Sequence, residues 1–158
     1  REDGGGLVAA LEKIVDPLLP AGDIATATYQ DGTTKVLVHS DANELNLPMM
    51  VLVNGNTASA AELFTASLKD FGKAEVIGEQ TFGKGIMQNT FELPDGGAVT
   101  LTVATYQTTK GECYHGVGIT PDVIMEEDYE KVDFDHPNPE QDAQLKQAME
   151  LLQIKISS

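Results

Sequence analysis

Apolar residues at Leu7, Val8, Leu11, Ile14, Val15 and Leu18 recur at spacings of three and four, which predicts an amphipathic helix. Gly4-Gly5-Gly6 forms a turn feeding it, and Pro17 and Pro20 end it. Ile24 to Tyr29 and Lys35 to His39 flank the turn residues Gln30-Asp31-Gly32-Thr33, the pattern of a β-hairpin. Met49 to Val53 is a continuous apolar run of strand length, expected to be a strand buried on both faces. Ala60, Leu63, Phe64, Ser67, Leu68 and Phe71 return to helical spacing, predicting a helix over about 58–70 that stops near Gly72. Ala74 to Gly78 reads as a short strand. Ile86 to Leu93 and Ala98 to Tyr106 read as two more around Pro94-Asp95-Gly96-Gly97. Residues 126–141 are acidic and proline-containing and read as loop, followed by a helix with Leu145, Ala148, Met149 and Leu152 on one face. Strands alternating with helices predict a layered α/β domain with a mixed sheet.

Composition narrows the class. At 158 residues the chain fits one domain with a single core, and 41% hydrophobic residues argue against disorder. A net charge of −15 excludes nucleic acid and anionic membrane as partners of the usual basic kind, since no basic patch is present to release phosphate counterions. The single cysteine, Cys113, cannot form an internal disulfide, and His39, His115 and His136 are far apart with no metal-ligand spacing, so no metal is assigned. There is no apolar run of membrane-spanning length and no signal peptide. The chain opens on Arg1 beside a glycine-rich turn with no element leading in, which reads as a fragment whose turn is prone to fray.

Two blocks carry candidate chemistry: Asn54-Gly55-Asn56-Thr57-Ala58-Ser59-Ala60-Ala61-Glu62, and Thr81-Phe82-Gly83-Lys84-Gly85-Ile86-Met87-Gln88. The first places Ser59 where a buried strand becomes a helix N-terminus, whose free N–H groups can stabilise an oxyanion. Ser59-Ala60-Ala61-Glu62 also matches a capping box, and a capping serine occupies the same position. The alanines around Ser59 leave room for a reacting carbonyl. In the second block Lys84 is framed by glycines and apolar residues, with no acidic residue between Thr81 and Thr90. A lysine titrates near about 10.4 in water, so a base role there requires desolvation; otherwise it is a solvated loop lysine. Gln88 stands at i+4 from Lys84, and an even offset puts both on one side of a strand, where the amide oxygen could orient the ammonium.

These blocks resemble the S41 family of serine peptidases, the C-terminal processing (tail-specific) peptidases. The resemblance covers nearly the whole chain. It runs from Arg1-Glu2-Asp3-Gly4-Gly5-Gly6-Leu7 through Leu47 to Asn54, Lys69-Asp70-Phe71-Gly72-Lys73-Ala74, Ile77-Gly78-Glu79 and Leu93-Pro94-Asp95-Gly96-Gly97 to Gly116-Val117-Gly118-Ile119-Thr120-Pro121-Asp122-Val123. It implies a ClpP/crotonase-like core spanning 1–158, with the upstream strand, helical region and PDZ domain of the family outside this chain. By the same resemblance Ser59 is the nucleophile, Lys84 the base and Gln88 the residue orienting it, while the N–H groups of Ala60 and Gly5 form the oxyanion hole. Glu2-Asp3-Gly4 departs from the family's usual Asn/Pro-containing sequence beside that turn. No cofactor is implied. The implied partners are protein or peptide substrates taken by their C-terminal tails, and the implied location is extracytoplasmic. Gly116 to Val123 reads as a structural turn, and Asp95 and Asp122 as turn residues. Two rival readings are a catalytically impaired core serving as scaffold or ligand-binding module, and an acyl-CoA enzyme on the related crotonase-like fold.

Overall fold

The computed structural model describes residues 1–41 and 43–157. Helix α1 (Val8–Val15) runs into a 3-10 turn at Asp16–Leu18, where Pro17 supplies the break. Strands β1 (Gly22–Tyr29) and β2 (Thr34–Ser40) form the predicted antiparallel hairpin, closed by Gly32 N–H donating to Tyr29 O at 2.9 Å and by the Asp31 carboxylate accepting from Thr33 N–H at 2.8 Å. Strand β3 (Met49–Val53), helix α2 (Ala60–Asp70) and strand β4 (Ala74–Gly78) make a β-α-β unit with β3 and β4 parallel. Strands β5 (Ile86–Glu92) and β6 (Ala98–Thr108) form the second hairpin, with Leu93 N–H donating to Gly97 O at 2.8 Å across its turn. A two-residue strand β7 (Val123–Ile124) and helix α3 (Ala143–Ser157) complete the order. The 3-10 turn and β7 are too short for a periodicity to mark them.

The sheet content is divided rather than continuous. One sheet is antiparallel with strand order β2-β1-β6-β5, and the other is parallel with order β3-β4-β7. Helix α2 touches β4 of one sheet and β1 and β6 of the other, while α3 packs on β3 and β4. Burial follows from that position: Leu63 and Leu68 of α2 are both enclosed, each contributing about 1.5–3 kcal/mol. Around them lie Leu11, Val15, Leu19, Ile24, Val38 and Tyr106.

Two burial expectations are corrected. Met49 to Leu52 are half-buried rather than enclosed, because β3 is at the edge of its sheet and β4 takes the centre. Beside that edge lies an open cavity of about 550 Å³ lined chiefly by apolar residues of β3, α1 and α2. On α3, Ala148 is buried as expected but Met149 is 52% exposed, and the polar Gln144 is enclosed instead. No helix among the described residues is long and apolar enough to cross a membrane.

Candidate active site

Parallel pairing brings the two sequence blocks together. Val53 and Gly78 are Cα partners at the ends of β3 and β4, so the loops that follow both strands leave from the same edge. In parallel sheets this carboxyl edge is where ligands bind. The loops are tied at once: Glu79 N–H donates to Val53 O at 3.1 Å, and Phe82 N–H to Thr57 O at 3.0 Å. A strand-helix-strand pattern therefore converts a separation of twenty-five residues along the chain into adjacency.

Ser59 does not have an ordinary cap conformation. Its φ of 58° and ψ of −121° lie in a region that a side chain makes costly, whereas an N-cap residue is normally extended. Such strain is worth about 1–3 kcal/mol and persists only where the surroundings enforce it. They do so here. Ser59 N–H donates to Glu62 Oε2 at 3.0 Å, and Leu63 N–H donates to Ser59 O at 3.0 Å as α2 begins. The result is a sharp strand-to-helix turn that leaves a half-buried serine hydroxyl beside the first N–H groups of α2. Ala60 N–H, the first of the helix, has no intrahelical acceptor.

Glu62 carries more than a cap. It is fully buried, and its carboxylate accepts four hydrogen bonds. Oε1 accepts from the Thr81 hydroxyl at 2.6 Å and Gly83 N–H at 2.7 Å; Oε2 accepts from Lys84 N–H at 2.7 Å and Ser59 N–H at 3.0 Å. One oxygen thus holds the backbone of both candidate residues. An acid-free setting for Lys84, expected from positions 81–90, holds only along the chain, since the fold delivers a carboxylate from α2. That carboxylate meets the lysine's backbone, and none of the ion pairs among the described residues involves Lys84, which is half-buried.

Tyr106 supplies a second bridge. Its buried hydroxyl donates to Lys84 O at 2.8 Å and lies 3.4 Å from Ser59 Oγ. Its ring meets Tyr114 edge-on with centroids 6.1 Å apart. Burial pushes both phenols up from their ordinary range, so Tyr106 remains a protonated donor. Nothing in the local sequence around Tyr106 singled it out.

The Gly116 to Val123 segment acts as the structural turn expected, and the structure adds what it supports. Gly116 N–H donates to Gly83 O at 2.9 Å, Ile119 N–H to Thr81 Oγ1 at 2.7 Å, and Gln80 Nε2 to Val117 O at 2.8 Å. A Cβ on Gly118 would sit 2.2 Å from Thr81 O, so glycine is required for this loop to lie against the lysine's loop. Asp95 is a turn residue as read, accepting from Gly97 N–H at 3.0 Å. Asp122 is more than that: it pairs with Lys69 Nζ at 2.7 Å and accepts Val76 N–H at 2.9 Å, fastening α2 to β4.

Gln88 and Gly5 come out differently. The alternation argument for Gln88 fails, because Lys84 lies in the loop before β5 and a register shift separates Met87 from Gln88. Gln88 is exposed on β5 opposite Thr102. Gly5, by contrast, lies against the serine: a Cβ on it would be 2.6 Å from Ala58 O, 2.7 Å from Ala60 N and 2.8 Å from Ser59 Cβ. Its N–H donates to Asp3 Oδ1 at 2.9 Å. The glycine turn is also anchored rather than frayed. Arg1 N donates to Leu52 O at 2.6 Å, Glu2 N–H to Asn54 Oδ1 at 3.1 Å, and Ala58 N–H to Asp3 O at 2.9 Å. Among the described residues no cluster of His, Cys, Asp and Glu has the makings of a metal site.

Residues 1–125 match peptidase family S41. The chain is 36% identical over 152 residues to a carboxyl-terminal-processing protease of Synechocystis, covering 96% of this chain and 35% of that protein. It is 38% identical over 128 residues to the chloroplastic C-terminal processing peptidase of Tetradesmus obliquus, covering 80% of this chain and 27% of the relative. It is likewise similar to the solved structure of the photosystem II D1 C-terminal processing protease, with a TM-score of 0.73 and 38% identity over 80% of this chain and 33% of that one. The chain therefore spans about a third of the length of these relatives. A family match over most of the chain, joined to a shared layered α/β fold, gives the conclusion that this chain belongs to peptidase family S41.

Proposed function

We propose that this chain carries the catalytic centre of a serine endopeptidase that cleaves protein chains near their C-termini. Ser59 Oγ attacks the scissile carbonyl carbon while Lys84 Nζ takes the hydroxyl proton and then returns a proton to the leaving amine as the C–N bond breaks. An acyl-enzyme on Ser59 remains; water attacks it with Lys84 again as base, the acyl–Oγ bond breaks to release the new carboxyl end, and Lys84 returns the proton to Ser59 Oγ. Ala60 N–H and Gly5 N–H receive the oxyanion, Gly5 turning its donor from Asp3 to the substrate. The orienting role of Gln88 rests on the family resemblance alone, since Gln88 stands exposed on β5.

The observation that carries this reading is the shared Glu62 oxygen, which fixes the backbones of Ser59 and Lys84 while Ser59 is held in a strained strand-to-helix turn. The relatives support the substrate class, being C-terminal processing enzymes. The family resemblance of the sequence extends the proposal to a whole protein that acts outside the cytosol and carries a PDZ domain recruiting substrate tails. The test uses the whole protein. A fluorophosphonate probe should label the wild type and not Ser59→Ala, and Ser59→Ala should not cleave an unfolded protein substrate. Retained proteolysis in that variant overturns the nucleophile assignment.

A further inference from the structure

The C-terminal region beyond the S41 match, from residue 126 on, reaches back to the first residue of the glycine turn. Arg1 Nη1 donates to Asp142 Oδ1 at 2.9 Å and to Gln144 Oε1 at 2.9 Å, and Nη2 pairs with Asp142 Oδ2. The guanidinium also lies over the Phe134 ring, 5.3 Å from its centroid. This fork is shielded from water, with side-chain exposures of 8% for Arg1 and 2% for Asp142. Its acceptors are themselves fixed. Asp142 Oδ1 accepts Leu145 N–H at 2.8 Å, and Gln144 Nε2 donates to Met125 O at 2.7 Å and to the Tyr129 hydroxyl at 3.0 Å.

We propose that Asp142 and Gln144, at the head of α3, are positioning residues that set the glycine turn against Ser59 through the Arg1 guanidinium. The path is short and continuous. From Arg1 the chain passes Glu2, held by Asn54, and Asp3, whose carbonyl accepts Ala58 N–H and whose carboxylate accepts Gly5 N–H. Gly5 then lies within contact of Ala58, Ser59 and Ala60. Of the other side-chain ties of this turn, those between Glu2 and Asn56 and between Asp3 and Gly5 are exposed to water, while Glu2 is also held by the buried Asn54, whose Nδ2 donates to Glu2 Oε1 and whose Oδ1 accepts Glu2 N–H. The fork at Arg1 is the shielded ion pair of the turn, and, beside the Glu2–Asn54 contact, it fixes the direction in which the turn approaches the serine. Bidentate pairing of this kind adds geometric specificity as well as energy. The inference rests on the reading that the turn serves Ser59 as an oxyanion donor.

The test measures kcat and KM on a labelled unfolded casein with the whole protein carrying Asp142→Asn, Arg1→Gln, both together, or Gln144→Ala. Misplacing a catalytic donor by about an ångström costs on the order of 10²-fold. Asp142→Asn should therefore lower kcat by about 10- to 100-fold with KM within about twofold. The double variant should be no slower than the slower single, because both changes break one link. Gln144→Ala keeps the charge pair and should lower kcat by about 3- to 10-fold, with a urea midpoint on each variant establishing that it is folded. Wild-type kcat in Asp142→Asn or Gln144→Ala, a loss confined to KM, or losses that multiply in the double variant would each overturn the proposal. Ser59→Ala, assayed beside them, separates the two readings. Cleavage in Ser59→Ala overturns the peptidase reading and this inference with it, whereas an inert Ser59→Ala beside a normal Asp142→Asn overturns the positioning role alone.

Discussion

Two loops converge on Ser59, and they are held by opposite means. The loop carrying Lys84 is fixed from inside, by a carboxylate with no exposure to water that binds Thr81, Gly83 and Lys84 together with Ser59. The glycine turn is fixed near Gly5 by exposed ties, Glu2 to Asn56 and Asp3 to Gly5, with its shielded side-chain contacts farther back, Glu2 on Asn54 and Arg1 on Asp142. A desolvated carboxylate with four donors permits little movement, because releasing any donor leaves a buried polar group unpaired. An exposed tie can exchange with water at small cost. The Lys84 loop is therefore rigid by construction and the Gly5 N–H, held by an exposed tie to Asp3, is adjustable, a division suited to the proposed roles of the two loops.

The largest effects come from the groups the two loops serve. Ser59→Ala and Lys84→Arg should each lower kcat by about 10⁴-fold or more in the whole protein, since loss of a nucleophile or its base is not compensated by binding. A guanidinium stays protonated at workable pH, so activity in Lys84→Arg would rule out the base role. Both variants should melt near the wild type.

Glu62→Ala comes next and tests the rigid side. It removes the acceptor of four donors, each costing about 1–3 kcal/mol if left unsatisfied. The expected outcome is a loss of at least about 3 kcal/mol by urea denaturation together with loss of cleavage. A normal urea midpoint would show that water replaces the carboxylate, and the contrast between the loops would collapse.

Gly5→Ala tests the adjustable side at its point of contact. The new Cβ meets Ala58, Ser59 and Ala60 at 2.6–2.8 Å, and the φ of 88° is itself unfavourable for alanine. Stability should fall by about 1–2 kcal/mol. The larger consequence should be kinetic: about 10²-fold in kcat, the worth of one oxyanion donor. A variant losing stability without losing rate would separate the turn from catalysis.

The smallest effect is a pH dependence. Burial raises the Asp142 carboxyl, but Arg1 and Leu145 N–H outweigh it and hold the carboxyl below its ordinary range. A group whose folded value is depressed contributes stability that is present above the unfolded value and lost as pH falls through the folded one. Asp142→Asn should therefore flatten the acid limb of the stability curve below about pH 4 and leave its slope near neutrality unchanged. An unchanged acid limb would mean that the Arg1 fork does not persist in solution.

What was legible in the sequence is what local periodicity and turn chemistry control. The spans Met49–Val53 and Ala74–Gly78, the two hairpins and the positions of Ser59 and Lys84 follow from spacing and from Gly, Pro and Asp placement, because those rules act over a few residues. The family's motifs added the pairing of serine with lysine. What the sequence could not show were the partners across space. Glu62 read as a cap because three residues separate it from Ser59, yet the fold also carries it to Thr81, Gly83 and Lys84. Gln88 read as facing Lys84 because alternation assumes an unbroken strand, and a bulge and a loop break it.

By itself, then, the sequence determined that a serine stands at a helix start after one strand and a lysine in a glycine-rich loop after the next. Only the tertiary structure decided that the two are neighbours, through the parallel register of Val53 with Gly78. It alone decided that Tyr106 from the other sheet lies between them and that Asp142, near the end of the chain, grips Arg1 at its beginning. The reason is physical. Local preferences act through neighbouring dihedrals and side chains, whereas a buried carboxylate or guanidinium must take its partners from whichever segments the packing of the core delivers.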